Sequence, residues 1–173
     1  MNKRNCVIEY AKKQILVDLS TLGFSLIKTT EQFQSNYEMH DIACQYAALE
    51  YLKKKFWLIP IGVDERGRRV MVRNSLPNYL AEKGDEIFCF DPKAKSKIQH
   101  FGWVNERDAI SYRELAKTCK IPVYLNFVQV VGGQVRGQTG HCDVFWEPKV
   151  KGYKAWNGNI VWIYGWEKGL ARV

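Results

Sequence analysis

No stretch of this 173-residue chain is apolar for the roughly 18 consecutive residues that a membrane-spanning helix needs; the longest, such as Phe56 to Ile61, are strand-sized. The cysteines offer no C-x-x-C pair. Cys6, Cys44, Cys89, Cys119 and Cys142 are odd in number and scattered, a spacing that excludes the paired ligands of a structural zinc site. Each sits among apolar neighbours, as in Phe88-Cys89-Phe90, which predicts reduced and mostly buried thiols. Histidine is scarce: His40, His100 and His141 make no H-x-x-x-H ligand pair. The glycine-rich run Gly132 to Gln138 has neither a Walker lysine nor G-x-G-x-x-G, so it reads as a loop between strands. With 13 Gly and 5 Pro the composition is far from disordered or collagen-like chains. The N-terminus, Met1-Asn2-Lys3-Arg4-Asn5, leads into charged helical sequence without the apolar core of a signal peptide, so the cytoplasm is the expected compartment.

Acidic residues are also in deficit. The 26 Lys and Arg outnumber the 18 Asp and Glu, a net charge of +8, and the chain is 46% hydrophobic and 25% charged. That balance suits one globular domain, residues 1–173, with enough length to bury a core. Its positive charge points to a polyanionic partner, because neutralising phosphates releases condensed counterions. The cations fall in knots: Lys53-Lys54-Lys55, Arg66 with Arg68-Arg69, Lys93-Lys95-Lys97, and Lys149-Lys151-Lys154. The last knot alternates with Trp146, Tyr153 and Trp156, which suit either stacking on unpaired bases or the inward face of a strand pair.

Apolar spacing at Val7, Ile8, Ala11, Ile15, Leu19 and Leu22 predicts a helix over Val7 to Leu22, closed by Gly23. Phe24 to Ile27 follows as a short strand, and Thr29 to Asn36 as a loop. Ser35-Asn36-Tyr37-Glu38 fits a capping box that starts a helix running to about Lys55. Its apolar stripe is Met39, Ile42, Ala43, Tyr46, Ala47 and Leu49. Trp57 to Val63 and Arg68 to Val72 predict one hairpin. After Leu76-Pro77, residues 78–83 read as a helical turn. Glu86 to Phe90 and Ile98 to Val104 predict a second hairpin, turned by Asp91 to Ser96. Glu106 to Lys117 is helical with Ile110, Leu115 and Ala116 inward, and Ile121 to Val128 is a buried strand. Beyond Gly132-Gly133 the chain reads as β, with Cys142 to Trp146 and Ile160 to Trp166 as strands. The expected fold is α/β: a central mixed β-sheet flanked by helices, with a β-rich C-terminal portion.

That order of helix, buried strand, hairpin with acidic ends, helix and the strand Ile121-Pro122-Val123-Tyr124-Leu125-Asn126-Phe127-Val128 resembles the PD-(D/E)XK nuclease superfamily, the restriction-endonuclease-like fold. The resemblance covers residues 37–130, with 131–173 as a C-terminal extension. It implies a strand-leading Asp, a neighbouring strand with (D/E)-x-K, and a further acid from an upstream helix. Two such carboxylates hold Mg²⁺ through oxygen, and the Lys orients water for attack on phosphorus. Asp85 matches the strand-leading Asp. In one register the (D/E)-x-K falls on Gly102-Trp103-Val104, which carries neither acid nor base. In the other it falls on Asp91-Pro92-Lys93, which spells the motif but also spells a common turn. Six residues of strand put Asp85 and Asp91 about 20 Å apart unless the chain folds back. Glu38 and Asp41, three apart on one helical face, are both open as the helical acid, as is Glu9.

The resemblance thus implies a Mg²⁺-dependent phosphodiester endonuclease with an altered site: Asp85 and Asp91 as metal ligands, Lys93 as positioning base, and Glu38 or Asp41 as outer carboxylate. The alternative is a catalytically inactive relative that binds nucleic acid, DNA or RNA, or a protein partner. A homodimer is left open as the assembly. His141-Cys142-Asp143 holds the residue types of a thiol enzyme, but neighbours on a strand point to opposite faces.

Overall fold

In the computed structural model, residues 2–17, 31–62, 70–72, 74–97, 101–155 and 158–165 are described. The architecture is α/β, a mixed sheet flanked by helices with further strands in the C-terminal part. Chain order is α1 (Lys3–Gln14), β1 (Ile15–Val17), α2 (Glu31–Lys53), β2 (Trp57–Pro60), β3 (Val70–Val72), β4 (Tyr79–Lys83) and β5 (Glu86–Lys95). Then come β6 (Phe101–Asn105), α3 (Glu106–Cys119), β7 (Val123–Val131), β8 (Gln134–Asp143), β9 (Val150–Lys154) and β10 (Ile160–Gly165).

The main sheet runs β2-β4-β5-β7-β8. Every neighbouring pair is antiparallel except β5 and β7, which are parallel. A parallel pair needs a crossover, and α3 lies in that connection. Strand alternation divides the side chains between two layers. Phe88 and Phe90 of β5 meet Ala47 and Tyr51 of α2, while Val128 and Val130 of β7 meet its Ala43. On the opposite face Leu80, Cys89, Val123, Leu125 and Phe127 pack with Val7 and Ala11 of α1 and with Ala109, Tyr112, Leu115 and Ala116 of α3. A second sheet, ordered β6-β10-β9, lays Val104, Trp162 and Tyr164 on this same core. At Gly102 a Cβ would overlap the Phe127 ring, so only glycine lets β6 approach so closely. Among the described residues no helix is long and apolar enough to cross a membrane.

Several local expectations are corrected. The first helix ends at Gln14 because Ile15-Leu16-Val17, a run favouring extended backbone, pairs with β3. Residues 18–30, with the strand expected at Phe24 to Ile27, lie outside the described residues. The second helix begins at Glu31, so Ser35 and Glu38 sit inside it and form no capping box at its start. Strand β2 pairs with β4 and not with β3, and residues 79–83 are strand instead of a helical turn. Ile110 points to solvent, with Ala109 and Tyr112 taking the inward positions.

The most consequential correction concerns Asp91 to Lys95, expected as a turn and found as the second half of β5, paired in parallel with β7. Pro92 is tolerated there for a geometric reason. The Cys89 amide donates to Pro122 of the β7 side. By alternation the amide position of residue 92 faces the β4 side, where pairing has already ended at Tyr79 and Phe90. The second hairpin therefore does not form, since β6 joins β10 in the other sheet. Two cysteines also depart from expectation: Cys6 of α1 is disulfide-bonded to Cys119 at the end of α3, with Cα atoms 5.5 Å apart. Cys44, Cys89 and Cys142 are buried and take no part in this disulfide, as expected.

Candidate functional site

Because Asp91 and Lys93 are two apart on one strand, their side chains leave the same face of β5, toward α3. There they form an ion network. Lys93 Nζ stands 2.7 Å from Asp91 Oδ2 and 3.4 Å from Asp108 Oδ2. The Tyr112 hydroxyl donates to Asp91 Oδ2 at 2.8 Å. Asp108 and Tyr112 are i and i+4 on α3, so one helical face delivers both. The Asp91 side chain is 1% exposed and that of Lys93 is 21% exposed.

Electrostatics follow from this enclosure. Burial works against the Lys93 charge, but the carboxylates of Asp91 and Asp108 more than offset it and hold the ammonium above the ordinary lysine range. Burial, then the same two carboxylates, push the Tyr112 phenol well above its usual value, so it remains a donor. Lys95 is next along the same face. Its Nζ donates to the Trp103 carbonyl at 3.3 Å and lies 4.9 Å from the Trp103 ring centroid. Burial, helped by the Lys93 charge, brings its amine down to about 7.

The remaining acids named by the sequence do not join this network. Asp85 is exposed in the turn between β4 and β5, just before the strand begins, while Asp91 lies at mid-strand. Glu38 and Asp41 belong to α2, which covers the other face of the sheet, where Phe90 and Ala94 point. Glu38 is exposed, and Asp41 lies 3.8 Å from His40 on its own helix. Asp85 immediately precedes β5, while Asn78 precedes β4 and its side-chain amide donates to Cys44 Sγ at 3.5 Å. Glu9 pairs with Lys12 on the surface of α1.

A divalent cation held between carboxylates does not fit this arrangement. The position between Asp91 and Asp108 is already taken by a positive charge, the Lys93 ammonium, and Asp91 Oδ2 is further engaged by Tyr112. Among the described residues no group of three or more His, Cys, Asp and Glu stands close enough to share a metal.

Sequence reasoning missed Asp108 and Tyr112. Their signal was present: on a helix whose other inward positions are small or apolar, an acid and a tyrosine four apart face the core. A second polar cluster was missed on the α2 face. Asn126 Nδ2 donates to the Tyr51 hydroxyl at 3.1 Å, so its Oδ1 accepts from His141 Nδ1 at 2.8 Å. Burial lowers the His141 pKa, which leaves Nε2 as the bare acceptor. His141 borders a cavity of about 100 Å³ shared with Tyr46, Glu50, Tyr51, Lys54 and Gln138.

No protein-family model matches the chain, and no curated protein matches it.

Proposed function

We propose that the chain is a nucleic-acid-binding module of restriction-endonuclease-like architecture, in which the D-x-K pair serves as an internal ion network and not as a hydrolytic centre. The observation that carries this reading is the Lys93 ammonium seated between Asp91 and Asp108, in the place a catalytic cation would need. The net charge of +8 supplies the attraction for phosphates. Fluorescence anisotropy with labelled DNA and RNA oligonucleotides tests it. Affinity is expected to fall by an order of magnitude or more between about 50 and 200 mM salt, with no cleavage when Mg²⁺ or Mn²⁺ is added. Absence of binding at low salt refutes the proposal.

A second reading, phosphodiester hydrolysis at an altered site, draws support from one feature: Asp91 and Lys93 do meet, side by side, on one face of the strand that pairs in parallel with β7. Its test is cleavage of the same oligonucleotides with Mg²⁺ or Mn²⁺ present. Cleavage abolished by Asp91→Asn in a folded protein selects this reading over the first.

A further inference from the structure

We propose that the cavity between α2 and β8 is a phosphate-monoester site, with the His141 imidazole and the Lys54 ammonium as its recognition groups, an inference that goes beyond the nucleic-acid-binding reading. A bulge builds one wall. His141 and Gln138 are three apart on β8, and simple alternation would send them to opposite faces. The ladder to β7 skips a residue between them, pairing Phe127 with Gly140 and Val128 with Gln138, so both side chains reach the cavity on the α2 side. The facing wall is one helical ridge: Tyr46 and Glu50 are four apart on α2, and Lys54 is four further on, just past the helix end. Glu50 is taken by Lys53 at 2.7 Å, and Lys54 is in no ion pair among the described residues; its Nζ lies 6.0 Å from the Tyr51 centroid. On the opposite wall Asn126, 1% exposed, holds His141 Nδ1 at 2.8 Å, and the Tyr124 ring stands 4.6 Å from the imidazole, centroid to centroid. That leaves Nε2 as the polar atom His141 offers to the cavity it lines, with no protein partner among the described residues.

Charge and proton count select the ligand. Burial lowers the His141 pKa, Asp143 opposes the shift and Lys54 adds to it, so the ring is neutral near pH 7. A neutral Nε2 accepts a hydrogen bond and calls for a donor, whereas the Lys54 ammonium calls for an anion. A phosphate monoester is both at once: its second ionisation lies near pH 6, so its P–OH form is readily reached at neutral pH while another oxygen keeps a negative charge. A carboxylate, ionised above about pH 4, and a sulfate have no proton to share and would need the enclosed ring to carry the charge that burial opposes. A metal cation would meet the Lys54 charge. Size agrees with a single group. The cavity of about 100 Å³ has room for roughly three waters at about 30 Å³ each, well short of the roughly 300–1,000 Å³ that encloses a whole small molecule. The occupant is therefore free phosphate or the phosphate end of a longer molecule whose remainder stays outside.

The test is calorimetric titration at pH 7 with inorganic phosphate, and with sulfate as the matched control, of wild type, Lys54→Ala and His141→Ala, each checked for folding by circular dichroism. Wild type is expected to bind phosphate saturably and sulfate not at all, with the His141 ring signals moving in NMR spectra as phosphate is added. Each substitution is expected to weaken phosphate binding by roughly tenfold or more. Lys54 is exposed, so its variant carries the test should His141→Ala fail to fold. Two oligonucleotides that differ only in ending with a phosphate or a hydroxyl identify the source. A gain from the terminal phosphate that Lys54→Ala abolishes supports the site and assigns it to a polymer end; phosphate binding without that gain supports it as a site for the free ion. Sulfate binding as well as phosphate, or folded variants that bind phosphate as wild type does, overturns the proposal. If the oligonucleotides bind but neither phosphate nor the terminal group does, the pocket is wrong while nucleic-acid binding stands; if phosphate binds and no oligonucleotide does, the pocket stands and that reading falls.

Discussion

Replacing Lys93 by Met removes the ammonium that bridges Asp91 and Asp108 while keeping the length of the side chain, and leaves Arg107 Nε, 3.9 Å from Asp108, as that carboxylate's remaining cation among the described residues. The Asp91 side chain is 1% exposed and that of Asp108 11%, so water cannot take over the role of the ammonium. Breaking a buried pair from one side typically costs about 3–5 kcal/mol, because the surviving charge is left uncompensated. Against a total of roughly 5–15 kcal/mol for a domain, that is a large fraction. At roughly 2–4 °C per kcal/mol for a chain of this size, Tm should fall by about 6–20 °C. Urea unfolding of Lys93→Met, Asp91→Asn and the double variant forms the cycle. The double variant should recover stability relative to Lys93→Met, since no uncompensated ion remains at Asp91. The pH response has a definite sign. A lysine whose folded pKa lies above its unfolded value contributes fully below about pH 10.4 and loses that contribution as pH rises through the folded value, so wild type should weaken in strong alkali and Lys93→Met should lack that limb. A Lys93→Met protein within about 1 kcal/mol of wild type, with no coupling in the cycle, would refute the network.

Tyr112→Phe deletes the donor to Asp91 and should cost about 1.5–3 kcal/mol, the range for hydrogen bonds to charged groups, read by chemical denaturation. Lys95→Met should stabilise the fold most below pH 7. The native amine sits near 7 against 10.5 for an ordinary lysine, so wild-type stability climbs with pH between those values and the variant's does not. That interval caps the gain at about 5 kcal/mol, reduced where water reaches the side chain, and urea titrations at pH 6 and pH 9 measure it. Cys6→Ser, or reduction of wild type, should lower stability by about 2–5 kcal/mol, visible as a drop in Tm with dithiothreitol present.

The layers of the fold were legible because their signals are local. Helical periodicity located α3, and the apolar run at Ile121 to Val128 located β7 to within a few residues. What stayed hidden depends on which strand meets which. Asp91-Pro92-Lys93 carries turn chemistry in its own sequence, yet parallel pairing with β7 on one side, and the end of β4 on the other, make it strand. Once that segment is extended, the direction of Asp91 and Lys93 is fixed toward α3, and the acids of α2 fall on the wrong face. The pairing of Cys6 with Cys119 was equally out of reach, since α1 and α3 meet only through tertiary packing.

The bond between Cys6 and Cys119 has a mechanical consequence. The two sulfurs are 113 residues apart in sequence and enclose all of β1 to β6 together with α2, α3 and most of α1. A pull on the two chain ends passes through that bond, so the enclosed loop carries no tension. Only the chain outside the loop, before Cys6 and beyond Cys119, is free to lengthen. Reduction would release roughly 400 Å of hidden contour at about 3.5 Å per residue, a step that optical tweezers resolve. In an oxidising compartment the C-terminal strands alone would yield to force, and the reducing potential of the surroundings would set how far the molecule stretches.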